Sequence, residues 1–270
     1  MMLCTSLDVS KLARAVDVNV TTKITLPGGG LAKIDMKVPN TTDYGDAKDK
    51  PLWNGVVYIH DLASGTANNR KGVMLENGIT LPTTTESTVA RGGGLTVVTD
   101  HSAYIIGNYN TGGNPPVNSG AITDAATVAG YTVRPAAVMA DAVNVLSRNW
   151  TIAYNSLSLG SRTPSSTTVN AALLSGNVPS TNPGGYSGGV ENFPRLLEAW
   201  TSSIRLTIYG SMICLFPSIY ATSRWGSSNV YDVPSRNWYF EPTFNNPNCL
   251  PPGTPNIVLF TNGEWVRLNN

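Results

Sequence analysis

The sequence predicts an all-β chain folded as a right-handed parallel β-helix, with an N-terminal β segment, one short helix and a C-terminal hairpin. The first observation behind this is a recurring unit: an apolar run, a two- or three-residue break built on Gly, Asp or Asn, and a second apolar run. It reads Val73-Met74-Leu75, Glu76-Asn77-Gly78, Ile79-Thr80-Leu81, and returns as Leu95-Thr96-Val97-Val98, Thr99-Asp100-His101, Ser102-Ala103-Tyr104-Ile105-Ile106. Further copies are Ala137-Val138-Met139, Ala140-Asp141-Ala142, Val143-Asn144-Val145-Leu146 and Ala172-Leu173-Leu174, Ser175-Gly176-Asn177, Val178. The last is Leu206-Thr207-Ile208, Tyr209-Gly210-Ser211, Met212-Ile213-Cys214-Leu215. Short apolar runs bounded by turn residues are the pattern of buried strands. Gly, Asn and Asp supply the backbone freedom that a sharp corner needs.

The second observation is composition. Of 270 residues, 41% are hydrophobic and only 13% charged, while Gly (26) and Pro (18) are abundant. That suits a folded chain with many turns and neutral polar strand faces, and argues against disorder. The third is the variable length of the polar loops between copies, 108–131 and 156–169 among them, as expected when insertions leave a repeated scaffold on one side.

Residues 1–50 read as an N-terminal β lead-in and 51–270 as the main domain. In the lead-in, Ser10 to Val16 suits a short helical turn, and Val16 to Val20 alternates like a half-buried strand. Lys23-Ile24-Thr25-Leu26 and Leu31 to Val38 flank Gly28-Gly29-Gly30 as a hairpin. Val56-Val57-Tyr58-Ile59 opens the main domain as a strand. Val190 to Trp200 reads as a helix, with Phe193, Leu196, Leu197 and Trp200 on one face and Pro194 in the first turn. After Leu215 the chain is rich in aromatics and proline, which suits a segment wrapping across a sheet face. Ile257 to Phe260 and Glu264 to Arg267 flank Asn262-Gly263, the favoured two-residue hairpin turn.

Several function classes are excluded. A formal net charge of +1 provides no basic footprint for nucleic acid. No apolar stretch approaches the ~20 residues of a spanning helix. Met1 to Val20 carries Asp8, Lys11, Arg14 and Asp17 and is not a signal peptide. The expectation is therefore a C-terminal piece of a longer exported protein. Cys4, Cys214 and Cys249 are too few for a disulfide framework or a zinc site. Cys214 reads as a small core hydrophobe, and a Cys4–Cys249 bridge stays open.

Candidate chemistry is sparse. The two histidines, His60 and His101, each neighbour an aspartate, Asp61 and Asp100. Successive residues of a strand face opposite ways, so neither adjacency makes a catalytic dyad. Asp100 and Asp141 hold equivalent places in two copies. If stacked, they would supply the paired carboxylates of a glycosidase; otherwise they are corner residues, which is the expectation. Glu191 and Glu198 read as solvated helix residues. The glycine triplets 28–30 and 92–94 lack the Lys-Ser/Thr of a phosphate loop. No catalytic, cofactor-binding or metal residue is expected.

Asn54 to Leu62, Gly94 to Asp100, Gly107 to Thr111 and Pro135 to Ser147 carry a resemblance. So do Tyr186 to Trp200, Tyr209-Gly210-Ser211-Met212 and Arg236 to Phe240. Together they resemble the C-terminal β-solenoid region of large, mostly uncharacterised envelope proteins of Verrucomicrobia- and Planctomycetes-like bacteria. That region is similar to PilX-type, type IV pilus-associated proteins. The resemblance covers roughly residues 52–270 and brings no catalytic residues. It implies a cell-envelope or extracellular location, with a membrane anchor in an N-terminal portion that this chain lacks. The expected function is a non-enzymatic structural or adhesive role in a bacterial surface or pilus-like assembly. Expected partners are other envelope or pilus-like proteins, a second copy of the chain, or surface glycans. The alternative is a polysaccharide-active enzyme or glycan-binding module.

Overall fold

The computed structural model describes residues 3–16, 24–25, 31–32, 55–60, 71–82, 93–112, 133–180, 185–222 and 230–255. An N-terminal strand β1 (Leu3–Asp8) runs into the helix α1 (Val9–Val16), and two short strands, β2 (Ile24–Thr25) and β3 (Leu31–Ala32), follow. Next come β4 (Val56–Ile59), β5 (Lys71–Glu76), β6 (Leu95–Thr99), β7 (Ser102–Ile106), β8 (Ala136–Ala140) and β9 (Ala142–Leu146). The remainder is β10 (Thr167–Asn170), β11 (Ala172–Asn177), β12 (Pro194–Arg195), β13 (Arg205–Gly210), β14 (Met212–Pro217) and β15 (Ser235–Phe240).

Apart from the antiparallel pair β2-β3, these strands build three parallel sheets. Two have five strands, in the orders β1-β5-β7-β9-β12 and β14-β11-β8-β6-β4, and the third is β10-β13-β15. From β4 to β9 the chain alternates between the two larger sheets. Two of the corners between them are short: Asp100 and His101 separate β6 from β7, and Asp141 alone separates β8 from β9. Parallel neighbours cannot be joined by a tight hairpin, so each chain path passes through another sheet before returning.

This layout corrects the expectation of a single right-handed parallel β-helix. The strands fall into separate parallel sheets of five, five and three. Such buried parallel sheets are the usual arrangement of α/β proteins, although α1 is the one α-helix among the described residues. An apolar run between turn residues reports a buried strand but is silent about which sheet the strand joins.

In-register ladders fill the interior. Val57, Val97, Val138, Leu173 and Met212 succeed one another across one sheet. Val73, Ala103, Val143 and Pro194 do so across the second. Val169, Ile208 and Trp238 cross the third, extended by a bridge to Tyr109. Strand β9, held between β7 and β12, is buried on both faces, which explains its nearly unbroken apolar run. Val9 and Leu12 of α1 join the same core, so the helix covers one end of it beside β1 and β5.

Other expectations fare unevenly. The turn predicted at Ser10–Val16 is α1, and β2 pairs antiparallel with β3 across the glycine triplet. The predicted helix over 190–200 is instead a 3₁₀ turn (Gly189–Asn192) followed by β12 at a sheet edge. Pro194 has no N–H to donate, and an edge strand tolerates that. Of the four residues on the expected face, Phe193, Leu196 and Trp200 are buried and Leu197 is half-buried. β15 adds a strand to the third sheet instead of wrapping; the wrap begins after it, where Thr96 Oγ1 donates to Pro252 O at 2.6 Å. Of the strand predicted over 16–20, Val16 belongs to α1; residues 17–20 and the C-terminal hairpin lie outside the described residues.

Candidate functional site

Strands β4 and β6 pair in register to Ile59 and Thr99. The next residues, His60 and Asp100, leave the sheet side by side. His60 Nδ1 lies 2.7 Å from Asp100 Oδ2, so the carboxylate holds the ring by one nitrogen and leaves Nε2 as the other. His101 follows, its backbone N–H donating to Thr99 Oγ1 at 3.2 Å. Its Nε2 lies 3.9 Å from Asp100 Oδ1, and both atoms are shielded from solvent without a hydrogen bond. The His60 and His101 rings lie 6.2 Å apart. Tyr58 lies parallel to His60 within 3° at 6.3 Å, and Tyr220 meets His101 edge-on at 5.2 Å. The chain's two histidines, 41 positions apart in sequence, thus meet around one aspartate.

Asp141 lies in the stack beside this cluster, its N–H donating to His101 O at 3.0 Å and its own carbonyl accepting from Gly176 N at 3.1 Å. Its buried carboxylate organises a distant loop. Oδ2 accepts from Ser218 Oγ at 2.6 Å, Tyr220 N at 3.0 Å and Ala221 N at 3.3 Å, and Oδ1 from Ile219 N at 2.6 Å. Arg195 donates to Ala221 O at 2.8 Å. Burial pulls that guanidinium below its ordinary value, and the Asp141 charge works in the opposite direction.

Asp100 and Asp141 both occupy corners, as expected. Their carboxylates take different partners, one an imidazole and the other a set of loop donors. Asp61 lies outside the described residues. Glu198 is no solvated helix residue: it is fully buried and accepts from Ser147 N and Ser147 Oγ, both at 2.6 Å. Burial pushes its carboxyl above the ordinary value, and the Ser147 bonds pull partly back. A comparable polar contact joins Asn170 to Glu241 at 2.6 Å. The three cysteines are free, so no Cys4–Cys249 bridge forms. Cys214 is exposed on the edge strand β14, not packed in the core. Among the described residues no group of three or more His, Cys, Asp or Glu side chains is placed to hold a metal, and no helix is long and apolar enough to cross a membrane.

Two other surfaces stand out. A largely apolar cavity of about 430 Å³ lies between the outward residues Val98, Met139 and Leu174 and the segment from Leu250 to Pro255. At one edge of the same sheet, β14 pairs only with β11 among the described strands. Its Ile213, Leu215 and Phe216 are exposed.

Reasoning along the sequence missed the His60–Asp100 pair because it compared each histidine with its neighbour in the chain. The usable signal was register: aligning Val56–Ile59 with Thr96–Thr99 places His60 beside Asp100. No family model, curated protein or solved structure matches the chain.

Proposed function

We propose that the protein is a non-enzymatic structural or adhesive component of a bacterial cell-surface or type IV pilus-like assembly, and that it joins a second copy through the β14 edge. The resemblance of residues 52–270 to envelope and pilus-associated proteins supports the setting. The observation that carries the reading is the edge strand itself. Met212-Ile213-Cys214-Leu215-Phe216-Pro217 contains no charged residue, and every residue after Met212 is exposed. Leu215 is 58% exposed. Edge strands are usually guarded by lysine, proline or bulges, because their unpaired N–H and C=O groups recruit another strand. Here Pro217 at the end and a register shift between Ser175 and Asn177 are the modest guards. A strand added to this edge would cover the apolar side chains and pair the open backbone groups together.

Sedimentation velocity over a concentration series tests this. The wild type is expected to associate as concentration rises, and the double variant Leu215→Lys, Phe216→Lys to remain monomeric with an unchanged circular dichroism spectrum. A wild type that stays monomeric throughout, or association that survives both substitutions, would overturn the edge-mediated reading.

A further inference from the structure

We infer that the corner carrying Tyr58, His60, Asp100 and His101 is a binding site for a neutral saccharide chain. It lies on β4 and β6, and β4 and β14 are the two opposite edges of one sheet. The exposed ring, Tyr58, therefore lies at the edge away from β14, and Tyr220, in the loop that follows β14, is the one part of the site continuous with that strand.

Three features carry the inference. The first is the presentation of rings. Tyr58 is 62% exposed on β4, its ring parallel to that of His60 just past the strand's end. The row continues through His101 to Tyr220 at ring spacings of 6.3, 6.2 and 5.2 Å. An aromatic ring left in water on an edge strand forgoes its packing energy, and a pyranose presents the matching surface, a face of C–H groups rimmed by hydroxyls.

The second feature is hydrogen-bonding capacity beside the rings. With Nδ1 committed to Asp100, the half-exposed His60 ring leaves Nε2 for a ligand, while the Asp100 carboxylate, one oxygen on the imidazole and the other shielded, fixes the ring's orientation. A sugar hydroxyl can donate to that nitrogen. The charge pattern favours a neutral ligand. A carboxylate in the row repels a polyanion, and no lysine or arginine among the described residues pairs with it. For a polycation it supplies a single negative charge already bonded to an imidazole.

The third feature is rigidity. Thr99 accepts from the His101 backbone, Asp141 donates to the His101 carbonyl, and the loop bearing Tyr220 is tied to the Asp141 carboxylate. A site held in place before binding loses less entropy when its ligand arrives.

Affinity electrophoresis of the full chain through gels containing dextran, yeast mannan or a mixed-linkage β-glucan tests the inference, with polygalacturonate as the charged control. At least one neutral polymer is expected to retard the wild type. Tyr58→Ala should weaken that retardation about tenfold or more, the loss of one ring contact. Asp100→Asn should weaken it less, and Leu215→Lys should leave it unchanged. Tyr58 is exposed, so its variant should melt with the wild type. Retardation by none of the three neutral polymers overturns the inference. So does equal retardation of the wild type and Tyr58→Ala, or retardation by polygalacturonate alone.

Discussion

Asp141 and Glu198 show how single buried carboxylates tie together parts of the chain that lie far apart in sequence. Asp141 receives one hydroxyl and three backbone N–H groups from 218–221. Removing the carboxylate takes the partner from Ser218 Oγ, Ile219 N and Tyr220 N, while Ala221 N keeps Ser218 Oγ; each hydrogen bond to a charged group contributes about 1.5–3 kcal/mol. Asp141→Ala is therefore expected to destabilise the fold by about 3 kcal/mol or more, read as a lower urea midpoint. The chain's corner pattern marks Asp141 as a turn residue, but its true partners lie 77 to 80 positions away, and no local pattern points to them.

Glu198 predicts a pH dependence of definite sign. Its folded carboxyl holds a proton more tightly than the unfolded one because burial disfavours the charge. In the window above the ordinary glutamate value the native state binds more protons, so stability falls as pH rises through it. Below that window both states are protonated and the penalty is absent. Gln in place of Glu198 can accept from Ser147 N and donate to Ser147 Oγ. Urea titrations from about pH 4 to about pH 7 should show the wild type losing stability relative to Glu198→Gln. A difference between the two that stays flat with pH would count against this role.

Strands and corners obey close-packing rules that make particular glycines irreplaceable. Gly210 closes β13, where Ala171 N donates to Tyr209 O at 2.9 Å and Leu173 N to Ser211 O at 2.7 Å. A Cβ at Gly210 would run into the Ala171 carbonyl oxygen. Gly210→Ala should cost about 2–3 kcal/mol through forced separation of two stacked corners. Gly160 faces open space, and its Ala variant should stay within about 0.5 kcal/mol of the wild type in the same denaturation series. Most breaks in the repeated pattern are corners for this reason. One is not: Ser175-Gly176-Asn177 lies inside β11, where the pairing with β14 shifts register. The 190–200 segment misleads in another way. Its three- and four-residue apolar spacing suits a helix, yet a buried turn leading into an edge strand uses the same spacing.

Across the whole molecule the two ends of the stack differ. Beside β1 and β5, α1 seals the core with Val9 and Leu12. At the β14 edge, apolar side chains remain exposed on both strand faces. Because β14 carries no charge, association through it should rest on apolar burial and backbone pairing, which salt screens little. Sedimentation at low and high ionic strength should therefore give the same degree of association, whereas dissociation by salt would point to a charged surface elsewhere.

The sequence by itself determined most of the segments that become strands, most of the places where the chain turns, and that little charge would be carried. Those properties are local, set by apolar runs of strand length and by residues that tolerate tight corners. Tertiary structure alone decided how the parallel strands divide among three sheets, which strands form the edges of those sheets among the described residues, and that His60 meets Asp100. Each depends on register between segments separated by long and variable loops, and the free energy that selects a register resides in cross-strand packing, not in any one stretch of chain.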